Sequence, residues 1–484
     1  MTASAETSSC CETPSVSTDT QAIDSSCRWP VLGLFKGAAF WLLVSSFFGI
    51  IASLKFHKPA MFADCAWLSY GRAYAVWENA LVYGFCVPSA MAVGIWLIAT
   101  LGRVKLCCPV LLMAGAKLWH IGVFLGLLGI LHGDSTGYEW LEFPRYAMAV
   151  LLVSYLLMSV CVLVTHARRM ERTLHPSHWF TLAALFWFPW ILCTAFMLLQ
   201  LYPVRGVAQA AIAWWYSGNL LVVWLALAGL GATFYLLPKL AERPLQSSHT
   251  AHFIFWTLIL FGTWVGIPGG AALPAWMPSL SASASLMLLV PALAIFLCVR
   301  QTTSGSQVKC GGGPLCYVKF GAISLVLSLV LLALTGIPQV ERVTNFTWFN
   351  HGHTTLRLYA FFAMTMFAAA YHILPRVTGV DFSPRRIKIH FWLAMPGSLL
   401  MTLPLVVGGV LQGMKLLKPG AVFLDSTKSA LMAFRITSLG EILFAAGAVI
   451  FLINVAGVLF KACWSGCKTT CCDSVNLKSA EVKA

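Results

Sequence analysis

Charged residues are scarce in this sequence. Asp, Glu, Lys and Arg together make up 10% of its 484 residues, whereas about 25% is typical of a soluble domain. Hydrophobic residues reach 59%, and the mean hydropathy is +0.80. This composition excludes an ordinary soluble protein and predicts an all-α integral membrane protein. Because a bilayer core about 30 Å thick needs about 20 helical residues, the chain has room for a bundle of about twelve transmembrane helices.

Signatures of several common protein classes are missing. The sequence has no GKT/S nucleotide-binding loop and no kinase or hydrolase motif, and residues 1–27 lack the basic start of a cleavable secretory signal. No block of consecutive basic residues accounts for the net charge of +15, which is spread over many short loops. Dispersed positive charge is typical of contact with anionic lipid head groups. We therefore expect the lipid bilayer as a partner and no nucleic acid.

Uninterrupted apolar windows predict where the helices lie. They divide the chain into a disordered cytoplasmic tail at 1–30, a polytopic membrane domain at 31–462 and a cytoplasmic, cysteine-containing tail at 463–484. The predicted spans lie near 33–54, 74–100, 108–132, 146–165, 178–201, 212–238, 252–270, 279–299, 316–338, 354–375, 391–413 and 436–460.

The short loops predict the orientation, because Lys and Arg favour the cytoplasmic side. The loops after the fourth, sixth and tenth spans are basic, whereas the loop at 133–145 has one arginine against three acidic residues. Three lysines in the loop before the last span depart from this pattern. We expect a multi-pass protein of the cell inner (plasma) membrane with both termini in the cytoplasm. The basic residues are Arg168, Arg169, Arg172, Lys239, Arg243, Arg376, Arg385, Arg386 and Lys388.

Sixteen cysteines occur in the chain. Those inside predicted spans, such as Cys86 and Cys298, are interpreted as small apolar side chains. Those in the two tails are expected to be free thiols in a reducing compartment. The segment CWSGCKTTCC at 463–472 offers soft ligands for zinc or copper(I). It lacks paired Cys-x-x-Cys knuckles, so plain juxtamembrane thiols are the favoured interpretation.

Several phrases in sequence order carry a family resemblance. They are LSYGR at 68–72, WWYSGN at 214–219, YLLPKLAERP at 235–244, ALPAW at 272–276, YHILPR at 371–376, IHFWLA at 389–394 and GVLQGM at 409–414. Together the phrases resemble subunit I of the cbb3-type cytochrome c oxidases, a branch of the haem-copper oxidase superfamily. The resemblance covers roughly residues 35–460.

The resemblance implies a bundle of twelve helices about a pseudo-threefold centre, with a role in respiratory electron transport. Such a bundle holds a low-spin haem, a high-spin haem and a copper ion that together reduce dioxygen. Partners implied in the same way are a cytochrome c-type subunit and other respiratory subunits. Two axial ligands for the first haem, one for the second and imidazoles for copper require six histidines.

The copper ligands that the resemblance implies are absent. Gly218 stands where the family has a histidine before the asparagine of the WWY segment. The adjacent histidine pair near the end of the seventh helix corresponds to Pro268, Gly269 and Gly270, and the family's tyrosine in that helix corresponds to Gly262. Glycine and proline have no side-chain donor, so copper is not expected.

The haem ligands are also depleted. By resemblance, the axial histidine five residues after Arg72 is replaced by Trp77, whose indole has no lone pair for iron; the adjacent Glu78 is expected to pair with Arg72 or to close a helix end. Counting back from YHILPR places His353 at the high-spin ligand and Thr355 at the low-spin ligand. A shift of two residues would instead make His351 and His353 the ligand pair.

These substitutions lead to two hypotheses about function. The first is a subunit I-like electron-transfer protein of the respiratory chain that works beside a cytochrome c partner. It binds at most one haem b, through His353 or His351, and the missing ligands argue against oxygen reduction. The second is a non-catalytic membrane scaffold or assembly protein, or a conduit for protons or small molecules. The alternative for His353 is an interfacial histidine that bonds to water or to a loop carbonyl. All the replaced positions are expected in one layer, near the non-cytoplasmic ends of their helices.

Reporter fusions will test the predicted orientation. Fusions at residues 170, 242 and 386, in the basic loops, are expected to report the cytoplasm, and a fusion at residue 138 the opposite side. The reverse pattern would invert the assignment of both termini.

Overall fold

The computed structural model describes residues 16–308 and 310–481, with side chains for 20–308 and 310–464. Its main elements are twelve helices, and no strand occurs in the described residues. They are α1 (Val16–His57), α2 (Tyr70–Leu101), α3 (Pro109–His132), α4 (Arg145–Ala167), α5 (Pro176–Leu201), α6 (Val207–Ala241), α7 (Ser248–Gly262), α8 (Trp276–Thr303), α9 (Pro314–Leu334), α10 (Trp348–Thr378), α11 (Pro384–Leu416) and α12 (Leu431–Glu481).

Eleven of these helices in the described part of the chain are long and apolar enough to cross a membrane. Helix α7 has 15 residues and ends at Gly262, although the hydropathy pattern predicts a span to residue 270. Its continuation is a turn in which Gly266 and Gly270 have φ angles of +121° and +77°. These left-handed conformations end the helix early. The predicted all-α bundle is therefore confirmed, with one short member.

Three helices form the centre of the bundle. In the most apolar 18-residue stretches of α2, α6 and α10, 89%, 94% and 89% of the residues are buried, against 44–61% in the other spans. The surrounding helices leave one apolar face exposed, as expected of surfaces in contact with lipid. Neighbours in sequence pack together, as in α3 with α4 and α11 with α12, and α1 packs against both α2 and α12.

Each central helix contains a π-helical segment, in which hydrogen bonds run from residue i to i+5. The segments are Ala80–Cys86 in α2, Asn219–Trp224 in α6 and Leu356–Ala363 in α10. Such segments are rare and often occur at functional sites. Each segment begins one to three residues after a position singled out in the sequence: Trp77 in α2, Gly218 in α6 and Thr355 in α10.

These three positions, where the resemblance implies ligands, lie at the same end of the bundle, within roughly the first three turns of their helices. We call this end the His57 face, because α1 ends there at His57. The connection from each preceding helix, at 58–69, 202–206 and 335–347, also lies there. The three positions therefore share one layer.

Half of the segment 1–30, predicted to be a disordered tail, is described by the structure. Helix α1 begins at Val16, so residues 16–30 are helical. Cys27 is fully buried, and Asp24 accepts a hydrogen bond of 2.8 Å from the indole of Trp96. These contacts order a segment whose polar composition suggested a tail. Residues 1–15, with Cys10 and Cys11, lie outside the described residues.

The predicted C-terminal tail is a continuation of α12. Its backbone is helical to Glu481, and Cys463 is an exposed free thiol. The side chains of Cys467, Cys471 and Cys472 lie outside the described residues. The metal-binding interpretation of this segment therefore stays a hypothesis.

Candidate functional site

Helices α1, α2, α10, α11 and α12 meet around a small cavity near the His57 face. Its volume is about 20 Å³, and its polar lining includes Tyr74, His351, Thr355 and Glu441. Since roughly 10–15 Å³ is needed to hold one water molecule, the cavity has room for about one. A haem, which is many times larger, does not fit. We call this space the Glu441 cavity.

Trp77 occupies the side of this cavity where the family resemblance implies the low-spin haem ligand. Its indole Nε1 donates a hydrogen bond of 2.6 Å to the hydroxyl of Tyr359 on α10. The ring also packs on Gly49 of α1, where even a Cβ atom would lie 3.0 Å from the indole nitrogen. Trp77 therefore fills the space between three helices and offers no lone pair to iron.

His351 faces the same cavity. Its Nδ1 lies 3.1 Å from the Tyr74 hydroxyl and 3.9 Å from an oxygen of Glu78. Glu78 is 2% exposed, and neither of its carboxylate oxygens has a hydrogen-bond partner in the described residues. A histidine backed by a hydroxyl and a carboxylate is typical of metal-ligating histidines. His351 is therefore better placed to hold a ligand than its position outside the expected motif suggests.

The expected pair between Arg72 and Glu78 is not formed. Residues six apart on a helix point about 120° away from each other, and Arg72, which is half-buried, instead donates to the carbonyl of Ala66 at 3.0 Å. Glu78 lies in the interior of α2, so it does not close a helix end either.

His353 lies on the opposite side of α10 from His351, as expected for residues two apart. It is 5% exposed, and its Nδ1 lies 3.1 Å from a terminal nitrogen of Arg357. Arg357 is itself 1% exposed and also donates to the Ser328 hydroxyl on α9, at 3.0 Å, and to the Leu221 carbonyl on α6, at 3.1 Å. His353 is thus neither interfacial nor bonded to a loop carbonyl.

The contact with Arg357 fixes the protonation of the His353 ring. A guanidinium only donates hydrogen bonds, so Nδ1 of His353 must accept. The neutral imidazole then carries its proton on Nε2, and neither nitrogen offers a free lone pair to iron. In this arrangement His353 does not fit as a haem ligand. The sequence contained a signal for this contact, because an arginine inside a predicted span is a functional candidate by default.

The copper position on α6 is closed by the main chain. A Cβ atom added to Gly218 would overlap the carbonyl oxygen of Val265, in the turn after α7. Asn219 holds this turn in place, since its side-chain nitrogen donates to the carbonyl of Thr263 at 3.2 Å. Any side chain at position 218, histidine included, would force the turn away from α6.

The turn that corresponds to the family's histidine pair is held by other groups. The Ser281 hydroxyl accepts hydrogen bonds of 3.1 Å from the amides of Gly266 and Ile267. The carboxylate of Glu341 accepts one from the amide of Gly269, and a Cβ atom at Gly269 would overlap that carboxylate. The residues present in this layer therefore do not fit a copper ion with imidazole ligands.

A second polar cluster lies between α2 and the loop at 133–144. The side-chain nitrogen of Asn79 donates to Glu142 at 2.7 Å, and the hydroxyls of Tyr83 and Tyr216 are 2.6 Å apart. Burial raises the pKa of Glu142 to about 7, although the hydrogen bond from Asn79 opposes this shift. Burial also raises the pKa of Glu139 in the same loop. The acidic loop at 133–144 is thus partly buried in the protein.

The remaining histidines in the described spans make local contacts. His120 accepts a hydrogen bond of 3.2 Å from the indole of Trp41, which is a structural contact between α3 and α1. His390, at a predicted span end, is fully buried and is hydrogen-bonded at 2.8 Å to the Tyr371 hydroxyl. Among the described residues, no group of three or more His, Cys, Asp and Glu side chains is arranged to hold a metal ion.

Replacing Gly218 with alanine tests the closure of the copper position. Because the added Cβ would overlap the Val265 carbonyl, Gly218→Ala is expected to destabilise the protein by about 1–3 kcal/mol. Thermal unfolding of purified protein measures this as a lower melting temperature. The matched control is Gly457→Ala, on α12, where nothing lies within 4 Å of the added atom. Equal melting temperatures for the two variants would show that α6 and the turn are further apart.

Glu142 predicts a pH dependence of stability. Its pKa is raised from 4.5 to about 7, so between these values the folded state keeps a proton that the unfolded state releases. Its contribution to stability is therefore present below 4.5 and lost as the pH rises through 7. Glu142→Gln is expected to lose less stability than the parent between about pH 5 and about pH 8. Asp425→Asn, at an exposed carboxyl, serves as the control; parallel profiles for parent and Glu142→Gln would contradict the assignment.

Comparisons with known proteins agree with this fold. The family described as "Cytochrome C and Quinol oxidase polypeptide I" matches residues 30–459. The chain is 26% identical over 436 residues to the "Cbb3-type cytochrome c oxidase subunit CcoN1" of Stutzerimonas stutzeri, covering 86% of this chain and 91% of the relative. It is 25% identical over 454 residues to a "Cytochrome c oxidase subunit 1 homolog" of Azorhizobium caulinodans, covering 88% and 81%.

A solved structure has a similar fold. It is a heme-copper terminal oxidase dimer, with a TM-score of 0.72 and 13% sequence identity over 89% of this chain and 84% of that chain. The resemblance seen in the sequence phrases is thereby confirmed: the chain is a divergent member of the cytochrome c and quinol oxidase polypeptide I family.

Proposed function

We propose that this chain is a subunit I-like protein of a bacterial inner membrane that does not reduce oxygen at a haem-copper centre. The observation that carries the proposal is the contact between Gly218 and the Val265 carbonyl, which closes the position where the family resemblance implies a copper ligand. The amide of Gly269, at the position of a second implied ligand, is bonded to Glu341. Oxygen reduction by this family requires a metal at these positions.

The haem positions support the same proposal. Trp77 donates its only polar hydrogen to Tyr359, and the Nδ1 of His353 is bonded to Arg357. The Glu441 cavity holds about one water molecule. Side chains thus fill the space beside Trp77, where the resemblance implies the low-spin haem, and the implied ligand His353 is engaged by Arg357. We propose that the chain has a scaffold or assembly role among respiratory membrane subunits.

A second candidate is an electron-transfer subunit with a single haem b and a cytochrome c-type partner. One contact favours it: His351 has its Nδ1 directed at Tyr74 and Glu78. If that nitrogen carries the proton, the Nε2 lone pair is free for iron. Binding would require α1, α2, α10 and α12 to separate around the Glu441 cavity.

Cofactor content distinguishes the two candidates. We expect a pyridine haemochrome spectrum of the purified protein to show at most one haem per chain, and none if the chain is a scaffold. Elemental analysis is expected to find no stoichiometric copper. It should use a variant with serine at positions 463, 467, 471 and 472, because the C-terminal thiols would otherwise contribute copper(I) sites. About one copper per chain would overturn the proposal.

Two variants identify the ligand of any haem that is found. Loss of the Soret band in His353→Ala, with the band retained in His351→Ala, would follow from the count back from YHILPR, which places His353 at the high-spin ligand. Loss in His351→Ala alone would follow from the contacts of His351 with Tyr74 and Glu78. A bis-histidine low-spin spectrum would contradict both single-ligand assignments and would support the electron-transfer candidate.

A further inference from the structure

A line of polar side chains connects the Glu441 cavity to the His57 face between α1 and α12. Glu441 is 7% exposed and interacts with the Ser53 hydroxyl. The Ser53 and Ser438 hydroxyls are hydrogen-bonded to each other, and Ser438 Oγ lies 2.8 Å from Nε2 of His57. Serine, serine and histidine thus follow one another without an apolar gap.

The two ends of this line differ in their access to water. His57 lies at the end of α1 and, with Arg435, lines an open recess of about 300 Å³. At the other end, Oε2 of Glu441 and Oγ1 of Thr437 are buried and have no hydrogen-bond partner in the described residues. Both residues line the Glu441 cavity, whose volume suits about one water molecule with two to four polar partners.

In the described part of the chain, no cationic side chain is paired with the Glu441 carboxyl group. A carboxylate without a partner is costly in an apolar interior, so burial favours the form that carries a proton. The α11 residues of the cavity are the apolar Met401 and Leu405. The titratable or charged groups around Glu441 are His57 on α1, Tyr70, Tyr74 and Glu78 on α2, His351 and Tyr359 on α10, and Arg435 on α12.

We infer that Glu441 is a buried proton-binding site that exchanges its proton with water at the His57 face through Ser53, Ser438 and His57. The inference is independent of the proposed function, because it involves no haem or metal. Its occupant is the proton itself. The line ends at the cavity, so it describes an access path from one face and not a channel across the membrane.

The transfer balances at each group. Water in the open recess gives a proton to Nδ1 of His57 as its Nε2–H gives one to Ser438, so the imidazole ends neutral. Ser438 then passes its own proton to Ser53, and Ser53 passes its own to the Glu441 carboxylate. Each hydroxyl gains one proton and loses one. The Ser438 hydroxyl now donates to the Phe434 carbonyl at 2.9 Å, so it must rotate toward Ser53 for the transfer to occur. Hydroxyl hydrogens rotate readily between partners of this kind.

Infrared spectroscopy of the full chain in lipid bilayers tests the inference. A protonated carboxyl group has a C=O stretching band that carboxylates lack. We expect such a band to disappear in Glu441→Gln, which keeps the size of the side chain. In the double variant Ser53→Ala, Ser438→Ala the band should remain, but its shift on transfer to D₂O should be slowed several-fold.

The matched control is Ser46→Ala. Ser46 is a buried serine on α1 whose hydroxyl donates to the Leu42 carbonyl of its own helix, and its loss should leave the exchange rate at the parental value. An unchanged band in Glu441→Gln would overturn the assignment of the site. Exchange at the parental rate in the double variant would overturn the path. If Glu441→Gln cannot be purified, the exchange rate of the double variant decides by itself.

Discussion

The buried guanidinium of Arg357 is the constraint on which the centre of this bundle depends. A charged side chain in the interior of a membrane protein is tolerated only where its donors are satisfied. Here the partners come from α6, α9 and α10 itself. The carbonyl of Leu221 that accepts from Arg357 belongs to the π-helical segment of α6, and Arg357 lies in that of α10. The π-helical segment of α6 thus contains the acceptor, the Leu221 carbonyl, and that of α10 contains the donor, Arg357.

The same contact decides what His353 can do. Because Arg357 occupies Nδ1, the imidazole is a structural acceptor in this arrangement and not a donor to iron. A change at either residue would leave the other buried without its partner, which is costly in this environment. The two positions where the family resemblance implies imidazoles are closely packed, with Trp77 on Gly49 and the Val265 carbonyl on Gly218. This layer is therefore a packed part of the core.

Most of the fold could be predicted from the sequence, because long apolar stretches have few alternatives in a bilayer. The prediction of a span at 74–100, for example, compares with Tyr70–Leu101 in the structure. The hydropathy pattern gave wrong helix boundaries where backbone conformation or packing determines them. It predicted a span to residue 270, whereas α7 ends at Gly262. It also gave no sign that Cys27, in the predicted tail, is buried.

The candidate site was less predictable. Counting along α10 placed His351 outside the ligand motif, yet His351 and Thr355, four residues apart, face the same cavity as Trp77. Glu441, Ser438 and Ser53 form no motif in sequence, since they come together only where α1 packs against α12. Arg357 and Glu441 share a property that the sequence did show: each is an ionisable residue inside an apolar span. Ionisable residues inside a membrane are rare and are functional candidates by default, so these two residues indicate the polar contacts of this bundle better than the implied ligand positions do.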